Sequence, residues 1–172
     1  EITTFNRWLT QFPHRHKIFI AGNHDWLFQE NPTLARSLLS SGITYLEDSE
    51  CAVGNLRIYG SPWTPTFMDW AFNLDRGRPI RSQWEKIPEG IDLLVTHGPP
   101  IGNLGGVLQR GEDVGCADLR QAVERARPRL HVFGHIHQGY GTYTDGPTQF
   151  INASICDEAY RPVNRPIVID LE

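Results

Sequence analysis

Apolar runs separated by polar or glycine-containing stretches predict a layered arrangement of helices and strands. Apolar residues recur at helical spacing over residues 5–12, and a second helix is predicted over 32–39 with Pro32 in its first turn. Continuous apolar runs that stop at glycine or threonine predict buried strands, at 18–21, 91–95 and 130–133. These strands lie far apart in the sequence, so helices and loops must connect them.

Together, the predicted strands and helices indicate an α/β (α+β) fold in one domain spanning residues 1–172. No internal repeat or domain linker interrupts it. Further elements are predicted from alternation, turn residues and helical periodicity: hairpins at 51–59 and 143–151, a glycine-rich loop at 102–115, a helix at 117–127 and a last strand at 167–169.

Composition narrows the class of protein. The 172 residues carry 16 Lys and Arg against 20 Asp and Glu, and 40% of them are hydrophobic. This balance excludes a disordered chain and argues against binding of a nucleic-acid polymer through a basic surface. No apolar run approaches the roughly 18 residues of a membrane span, so no membrane partner is expected. Cys51, Cys116 and Cys156 are odd in number and far apart, which favours reduced structural thiols in a cytoplasmic protein.

Metal-capable side chains follow three of the predicted strands. The sequence reads G-N-H-D at 22–25, T-H at 96–97 and G-H-x-H at 134–137. Strand ends in layered α/β folds meet at one edge, where ligands commonly bind. His135 and His137 are two apart, so an extended backbone is expected to point both to the same side. Imidazole nitrogens and an amide oxygen suit Zn, Mn or Fe(II) better than Ca.

Each of these segments also has a structural interpretation. A single histidine after a strand is often a hydrogen-bonded structural residue, and His131, in the middle of a predicted strand, is expected to pack with one satisfied nitrogen. Trp63, Trp70 and Trp84 are expected to form local core. The sequence contains no G-x-S-x-G, no G-x-x-x-x-G-K-[ST] and no G-x-G-x-x-G, so serine hydrolase, P-loop and Rossmann functions lack their motifs.

In their order along the chain, the three segments resemble the second half of the calcineurin-like metallophosphoesterase signature. Other stretches are similar to the metallophosphoesterase-domain-containing (adult-brain-239-like) branch of that superfamily: residues 60–65, 70–74, 96–100, 131–137, 152–154 and 166–171. The resemblance covers essentially the whole chain and implies the αββα sandwich of these enzymes.

The resemblance also implies a metal centre. By position in the motifs, Asn23, His97 and His135 would bind one divalent metal ion, and His137 would bind the second. The ions would be Mn, Fe or Zn. In the family mechanism, a metal-bound hydroxide attacks phosphorus while both ions hold the phosphoryl oxygens.

Two further residues are implied to be catalytic. His24 would stabilise or protonate the leaving oxygen, and Asp25 would orient its neighbours. The substrates implied are small phosphomonoesters or phosphodiesters, with cyclic nucleotides as one group.

The chain departs from the family at its beginning. The family signature opens with D-x-H and G-D-x-x-D, neither of which occurs here, and the chain starts at Glu1, where those segments should just have ended. We therefore expect a sandwich truncated at the N-terminus, with one bound ion or none and with weak or no hydrolysis. The alternative is a non-catalytic, metal- or nucleotide-binding or regulatory remnant of the family. Loss of neighbouring strands would expose the edge at 17–21 and favour self-association.

Overall fold

The chain contains both α-helices and β-strands along most of its length. The computed structural model describes residues 1–102, 106 and 111–171. The α-helices are α1 (Ile2–Thr10), α2 (Trp26–Glu30), α3 (Pro32–Ser37), α4 (Arg78–Trp84) and α5 (Ala117–Ala126). The strands are β1 (Lys17–Phe19), β2 (Ile43–Tyr45), β3 (Ser49–Val53), β4 (Leu56–Ser61), β5 (Thr64–Pro65), β6 (Asn73–Leu74), β7 (Leu93–Thr96), β8 (Leu130–Phe133), β9 (Gly141–Asp145) and β10 (Thr148–Asn152).

A six-stranded mixed sheet forms the centre of the fold. Its strand order is β3-β4-β7-β8-β10-β9. The four inner strands are parallel, and the hairpin partners β3 and β9 close the two edges in antiparallel pairing. The carboxyl ends of the inner strands therefore share one edge, which brings together the segments that follow β7, β8 and β10. This mixed sheet with its helices confirms the predicted α/β fold class.

The main hydrophobic core lies between this sheet and the helices α4 and α5. It is built from buried side chains of both layers: Ile80, Trp84, Leu119 and Val123 from the helices, and Leu94, Phe133 and Phe150 from the sheet. Burying one such side chain stabilises the fold by about 1.5–3 kcal/mol. The core therefore fixes the positions from which the strand ends project.

A smaller unit packs around the first two strands. β1 and β2 form a parallel pair that aligns Lys17 with Ile43, and α2 and α3 pack beside them through a small buried cluster that includes Phe28, Ala35 and Tyr45. The side chain of Asn31 accepts a hydrogen bond of 3.1 Å from the Leu34 amide, which caps α3. Among the residues that the structure describes, β1 pairs only with β2, and its side chains are half-buried.

Several predicted elements differ from the structure. The strand predicted at 167–169 is wrong, because these residues adopt no strand and Val168 is 84% exposed. The prediction missed α2, α4 and β2, which are short elements of five, seven and three residues. Much of the loop predicted at 102–115 lies outside the described residues.

The three cysteines are free. Within the described part of the chain, no helix has both the length and the hydropathy needed to span a membrane.

Candidate active site

The three segments singled out by the sequence meet at one cavity. Its volume is about 630 Å³, and it opens at the carboxyl edge of the central sheet. It is lined by the predicted metal and catalytic residues other than Asp25: Asn23, His24, His97, His135 and His137. The structure thus brings these residues to one cavity, as their positions after strands predicted, although β1 belongs to a separate strand pair.

Asn23 and His97 are in direct contact. The Asn23 Oδ1 atom lies 2.6 Å from the His97 Nε2 atom, and Asn23 is almost fully buried. This approach depends on Gly22. A Cβ atom on Gly22 would lie 2.5 Å from the Cε1 atom of His97, closer than real Cβ contacts. The glycine before Asn23 is therefore required for the His97 ring to reach the amide.

The side chains of His97 and His135 form a pair of neighbouring, uncharged imidazole rings. Their ring centroids are 4.8 Å apart. Burial and, to a smaller extent, neighbouring histidines lower the pKa of His97 to about 3 and that of His135 to about 4. Both imidazoles are therefore neutral near pH 7, with one protonated and one unprotonated ring nitrogen each.

His137 is held in a tautomer that leaves a second lone pair available. Its Nδ1 atom lies 2.9 Å from the backbone oxygen of Asp157. A carbonyl oxygen can only accept, so Nδ1 carries the proton and Nε2 of the neutral ring is an acceptor. A backbone carbonyl commonly plays this orienting role beside a metal-binding histidine.

The segment around His135 is a tight turn. The amide of Ile136 donates to the Gly134 oxygen at 2.7 Å, and His135 has a positive φ of 67°. The expected extended backbone at 135–137 is therefore wrong. A three-residue turn with its central residue in the left-handed region is rare and strained, and such strain is often found at functional sites.

Asn152, at the end of β10, holds this turn in place. It is completely buried, and its Nδ2 atom donates to the Ile136 oxygen at 2.7 Å. Its Oδ1 atom accepts from the Ser154 amide at 3.0 Å. The sequence prediction gave Asn152 no site role, although an asparagine directly after a buried apolar run matches the pattern that pointed to Asn23.

His24 and Asp25 occupy the segment after Asn23. His24 is exposed, and its ring centroid lies 5.2 Å from that of Trp70. Asp25 Oδ2 accepts from the Gly22 amide at 2.7 Å, so the carboxylate braces the 22–25 turn. Partial exclusion of water raises the pKa of Asp25, while the hydrogen bond from Gly22 opposes this rise. The catalytic role of His24 and the orienting role of Asp25 remain predictions.

Two residues near the site were not identified from the sequence. Trp70, expected to be local core, is only half-buried and touches the site, with its ring 6.5 Å from that of His135. Glu158 lines the same cavity and supplies a carboxylate that belongs to none of the three motifs. Its exposed, irregular segment carries no periodicity from which this position could be predicted.

The cavity residues named by the motifs offer neutral donor atoms that would suit one divalent ion better than two. Asn23 and His97 converge on each other, His135 lies beside them, and all three donors are neutral nitrogen or oxygen atoms. Over residues 1–102, 106 and 111–171, no three His, Cys, Asp or Glu side chains lie together as a metal-binding group. The described cluster therefore depends on the amide of Asn23 and includes no carboxylate ligand.

Comparison with solved structures shows the same fold elsewhere. One crystal structure matches 89% of this chain and 62% of its own chain with a TM-score of 0.67 at 16% sequence identity. At this identity the similarity shows the fold alone, a mixed α/β architecture like the one described above.

Sequence comparison shows the family. The chain is 47% identical to human metallophosphoesterase domain-containing protein 1, over 99% of this chain and 60% of that protein. It is 38% identical to a UPF0046 protein of Caenorhabditis elegans, over 99% of this chain and 50% of that one. The chain thus spans between half and 60% of the length of these relatives. The family model described as calcineurin-like phosphoesterase matches residues 2–139, a range that contains all three site segments. With its strand-end histidines, its mixed sheet and these relatives, the chain belongs to the calcineurin-like phosphoesterase family.

Proposed function

We propose that this chain binds small phosphoesters at the Asn23–His97–His135–His137 cluster with one divalent ion and hydrolyses them slowly. Membership of the phosphoesterase family supplies the class of reaction. The observation that supports the position of the site is the 2.6 Å contact between Asn23 Oδ1 and His97 Nε2, with the His135 ring beside it. The ligand set, its metal and its substrates are part of the proposal.

Each described side chain at the cavity has a proposed role that follows from its position. Asn23, His97 and His135 would hold the ion, which when bound supplies a positive charge that stabilises the phosphoryl oxygens. His137 presents Nε2 to the same cavity because its Nδ1 is held by the Asp157 carbonyl. His24 is exposed and lines the cavity, where it would give a proton to the leaving oxygen.

Slow turnover follows from the charges of the donors. None of the three proposed ligands is a carboxylate, and Glu158 in the cavity wall is exposed, so the +2 charge of the ion is poorly compensated and the ion is held weakly. Phosphoester hydrolysis requires the barrier to fall by about 20 kcal/mol or more to reach ordinary enzymatic rates. One weakly held ion and one proton donor supply only a minor part of that reduction.

A second candidate is a protein that binds a metal ion or a nucleotide without hydrolysis. The same neutral side chains favour a binding protein. Amide and imidazole groups are enough to bind a metal ion or a nucleotide, but they leave the charge of the ion uncompensated. The two candidates differ in one property. A slow phosphoesterase releases product in proportion to time and enzyme, whereas a binding protein does not.

The test measures Mn-dependent hydrolysis of bis(4-nitrophenyl) phosphate by the wild type, His97→Ala and His16→Ala. His97 contacts Asn23 in the cavity, whereas His16 is exposed outside it and serves as the matched control. We expect slow hydrolysis that is lost in His97→Ala and retained in His16→Ala.

Three other outcomes are informative. Mn-dependent binding of the substrate without product supports the binding protein. Equal activity in His97→Ala removes the cluster from the mechanism. Turnover at ordinary enzymatic rates shows that carboxylates outside the three motifs complete the site.

A further inference from the structure

The central sheet buries a histidine that touches no proposed ligand. His131, on β8, has 0% exposure, and its ring packs against Phe133 and Phe150 at centroid distances of 5.1 and 5.7 Å. Burial lowers its pKa to about 3, so the ring is neutral. An apolar side chain of the same size would fill this space without the cost of burying two ring nitrogens. The presence of an imidazole therefore needs a reason other than packing.

His131 is the first member of a buried hydrogen-bond chain. Its Nε2 atom lies 2.8 Å from the Thr96 Oγ1 atom, and that hydroxyl donates to the backbone oxygen of Gly98 at 2.8 Å. The hydroxyl has one hydrogen, and the carbonyl can only accept. Thr96 therefore uses its hydrogen on Gly98, and Nε2 of His131 must be the donor to Thr96.

The environment of the other ring nitrogen, Nδ1, supports a proton on Nε2 of His131. Nδ1 of His131 is buried and has no hydrogen-bond partner. In the deduced tautomer, this atom is an unpaired acceptor. In the other tautomer it would be an unpaired N–H donor, and Nε2 and Thr96 would compete for one hydrogen. Leaving a buried donor unsatisfied costs about 1–3 kcal/mol.

This chain of hydrogen bonds involves the two residues that flank His97. Thr96 immediately precedes His97, and Gly98 immediately follows it. The backbone oxygen of His97 also accepts from the Gly134 amide at 3.0 Å, which ties this turn to the one that carries His135. The backbone of His97 is thus fixed from the core side, while its ring contacts Asn23 on the cavity side.

We propose that His131 is a positioning residue, whose buried Nε2–H holds the 96–98 turn through Thr96 so that the His97 ring faces Asn23. The relevance of this role to ligand binding rests on the proposed function, but the hydrogen-bond chain itself does not. His131 acts through Thr96 and touches neither ion nor substrate.

The first test reads the tautomer directly. Long-range ¹H–¹⁵N spectra of metal-free protein with ¹⁵N-labelled histidine distinguish protonated from unprotonated ring nitrogens. We expect His131 to show a protonated Nε2 and an unprotonated Nδ1 throughout the neutral pH range. A protonated Nδ1, or a charged ring at neutral pH, would overturn the proposal.

The second test separates positioning from packing. His131→Gln retains a side-chain N–H that can reach Thr96, whereas His131→Leu fills the core without a donor. We expect His131→Leu to shift the His97 ring resonances and to weaken Mn binding about tenfold, the lower end for loss of an orienting group. We expect His131→Gln to restore both toward wild-type values. Val123→Ala, a core change on α5, should lower stability without moving His97.

The His97 spectra test the role of His131, whereas Mn binding tests the proposed function, so the two proposals can fail separately. Identical His97 spectra in the Leu and Gln variants would overturn the positioning role, whatever the protein binds. If wild-type protein binds no Mn, the proposed function fails while the spectra still decide the role of His131. If His131→Leu does not fold, Thr96→Val breaks the same chain with an isosteric side chain. Unchanged His97 spectra in that variant would overturn the proposal.

Discussion

Gly22 matters because it has no side chain. The His97 ring occupies the space that a Cβ atom on Gly22 would need, with its Cε1 and Nδ1 atoms at 2.5 and 2.6 Å from that position. Gly42, in contrast, has no atom within 4 Å of the corresponding position, and it provides a matched control.

The first prediction uses this pair of glycines. We expect Gly22→Ala to displace the His97 ring from Asn23, to weaken Mn binding about tenfold and to lower the free energy of unfolding by about 1–3 kcal/mol through overpacking. Gly42→Ala should bind Mn like the wild type. Calorimetric titration and urea denaturation check both values. Unaltered Mn affinity in Gly22→Ala would show that the contact between Asn23 and His97 does not contribute to the site.

The second prediction concerns acid stability in metal-free buffer. The folded pKa of His131 is about 3, against an ordinary value of 6.5. Between these values the unfolded chain binds a proton that the folded chain does not. The contribution is therefore complete above pH 6.5 and declines as the pH falls toward 3, by up to about 1.4 kcal/mol per pH unit.

Urea denaturation at several pH values measures this slope. We expect the free energy of unfolding of His131→Gln to fall less steeply than that of the wild type between pH 6 and pH 4. His16→Ala, changed at an exposed position, should keep the wild-type slope. Equal slopes for the wild type and His131→Gln would mean that His131 takes up its proton in the folded state as readily as in the unfolded state.

At the scale of elements, one buried carboxylate joins two helices. Asp118, in the first turn of α5, accepts from the Gly77 amide at 2.9 Å and from Arg81 Nε at 2.8 Å. Gly77 immediately precedes α4, and Arg81 lies within it. Asp118 thus holds α4 against α5 over the main core and also places a negative charge at the N-terminus of α5.

The third prediction follows from these contacts. We expect Asp118→Ala to lower the free energy of unfolding by about 2–3 kcal/mol, because the variant loses both hydrogen bonds to a buried carboxylate and leaves the Gly77 amide and Arg81 without their acceptor. Glu124→Ala removes the exposed pair between Arg120 and Glu124 on the same helix and should cost less than about 0.5 kcal/mol. Urea denaturation compares them. A similar cost for both variants would mean that the Asp118 contacts contribute no more than a surface ion pair.

The elements predicted best are those whose pattern is local. The hairpin turning at Gly54 and Asn55 and the hairpin turning at Asp145 and Gly146 follow from alternation and turn residues, and both are present. The strand β2 and the helix α2 are too short for a period to be read. The strand predicted at 167–169 shows the opposite error, because an apolar run does not form a strand without a neighbour to pair with.

The meeting of the motif residues at one cavity was predictable from the sequence, but the geometry of the cavity was not. Strand-end position and the resemblance brought Asn23, His97, His135 and His137 to one cavity. The left-handed turn at His135 was not predictable, because it depends on a contact from Asn152 at the end of β10, which lies 16 residues from its partner Ile136. Likewise, the support of Asn152 arises from the parallel pairing of β8 with β10, which the sequence alone does not specify.

At the scale of the whole molecule, β1 presents an edge without a partner among the described residues. It pairs with β2 on one side, and its backbone groups on the other side have no strand beside them in the part of the chain that the structure describes. Such an edge is a template for pairing with another chain.

The fourth prediction is that the protein self-associates through this edge. We expect the mass measured by light scattering to rise with concentration, and Ile18→Lys, which places a charge on the edge, to reduce that rise. Ala52→Lys on the outer strand β3 is the matched control and should behave like the wild type. A wild-type protein that is monomeric at every concentration, or equal suppression by both variants, would remove β1 as the contact.

The central claim is that Asn23, His97 and His135 together hold a single divalent ion. The most direct measurement is the stoichiometry of Mn binding to metal-free protein by electron paramagnetic resonance, for the wild type, His97→Ala and His16→Ala. The account predicts one weakly bound Mn per chain, lost in His97→Ala and retained in His16→Ala. Two tightly bound ions, no binding by the wild type, or binding that survives in His97→Ala would contradict it.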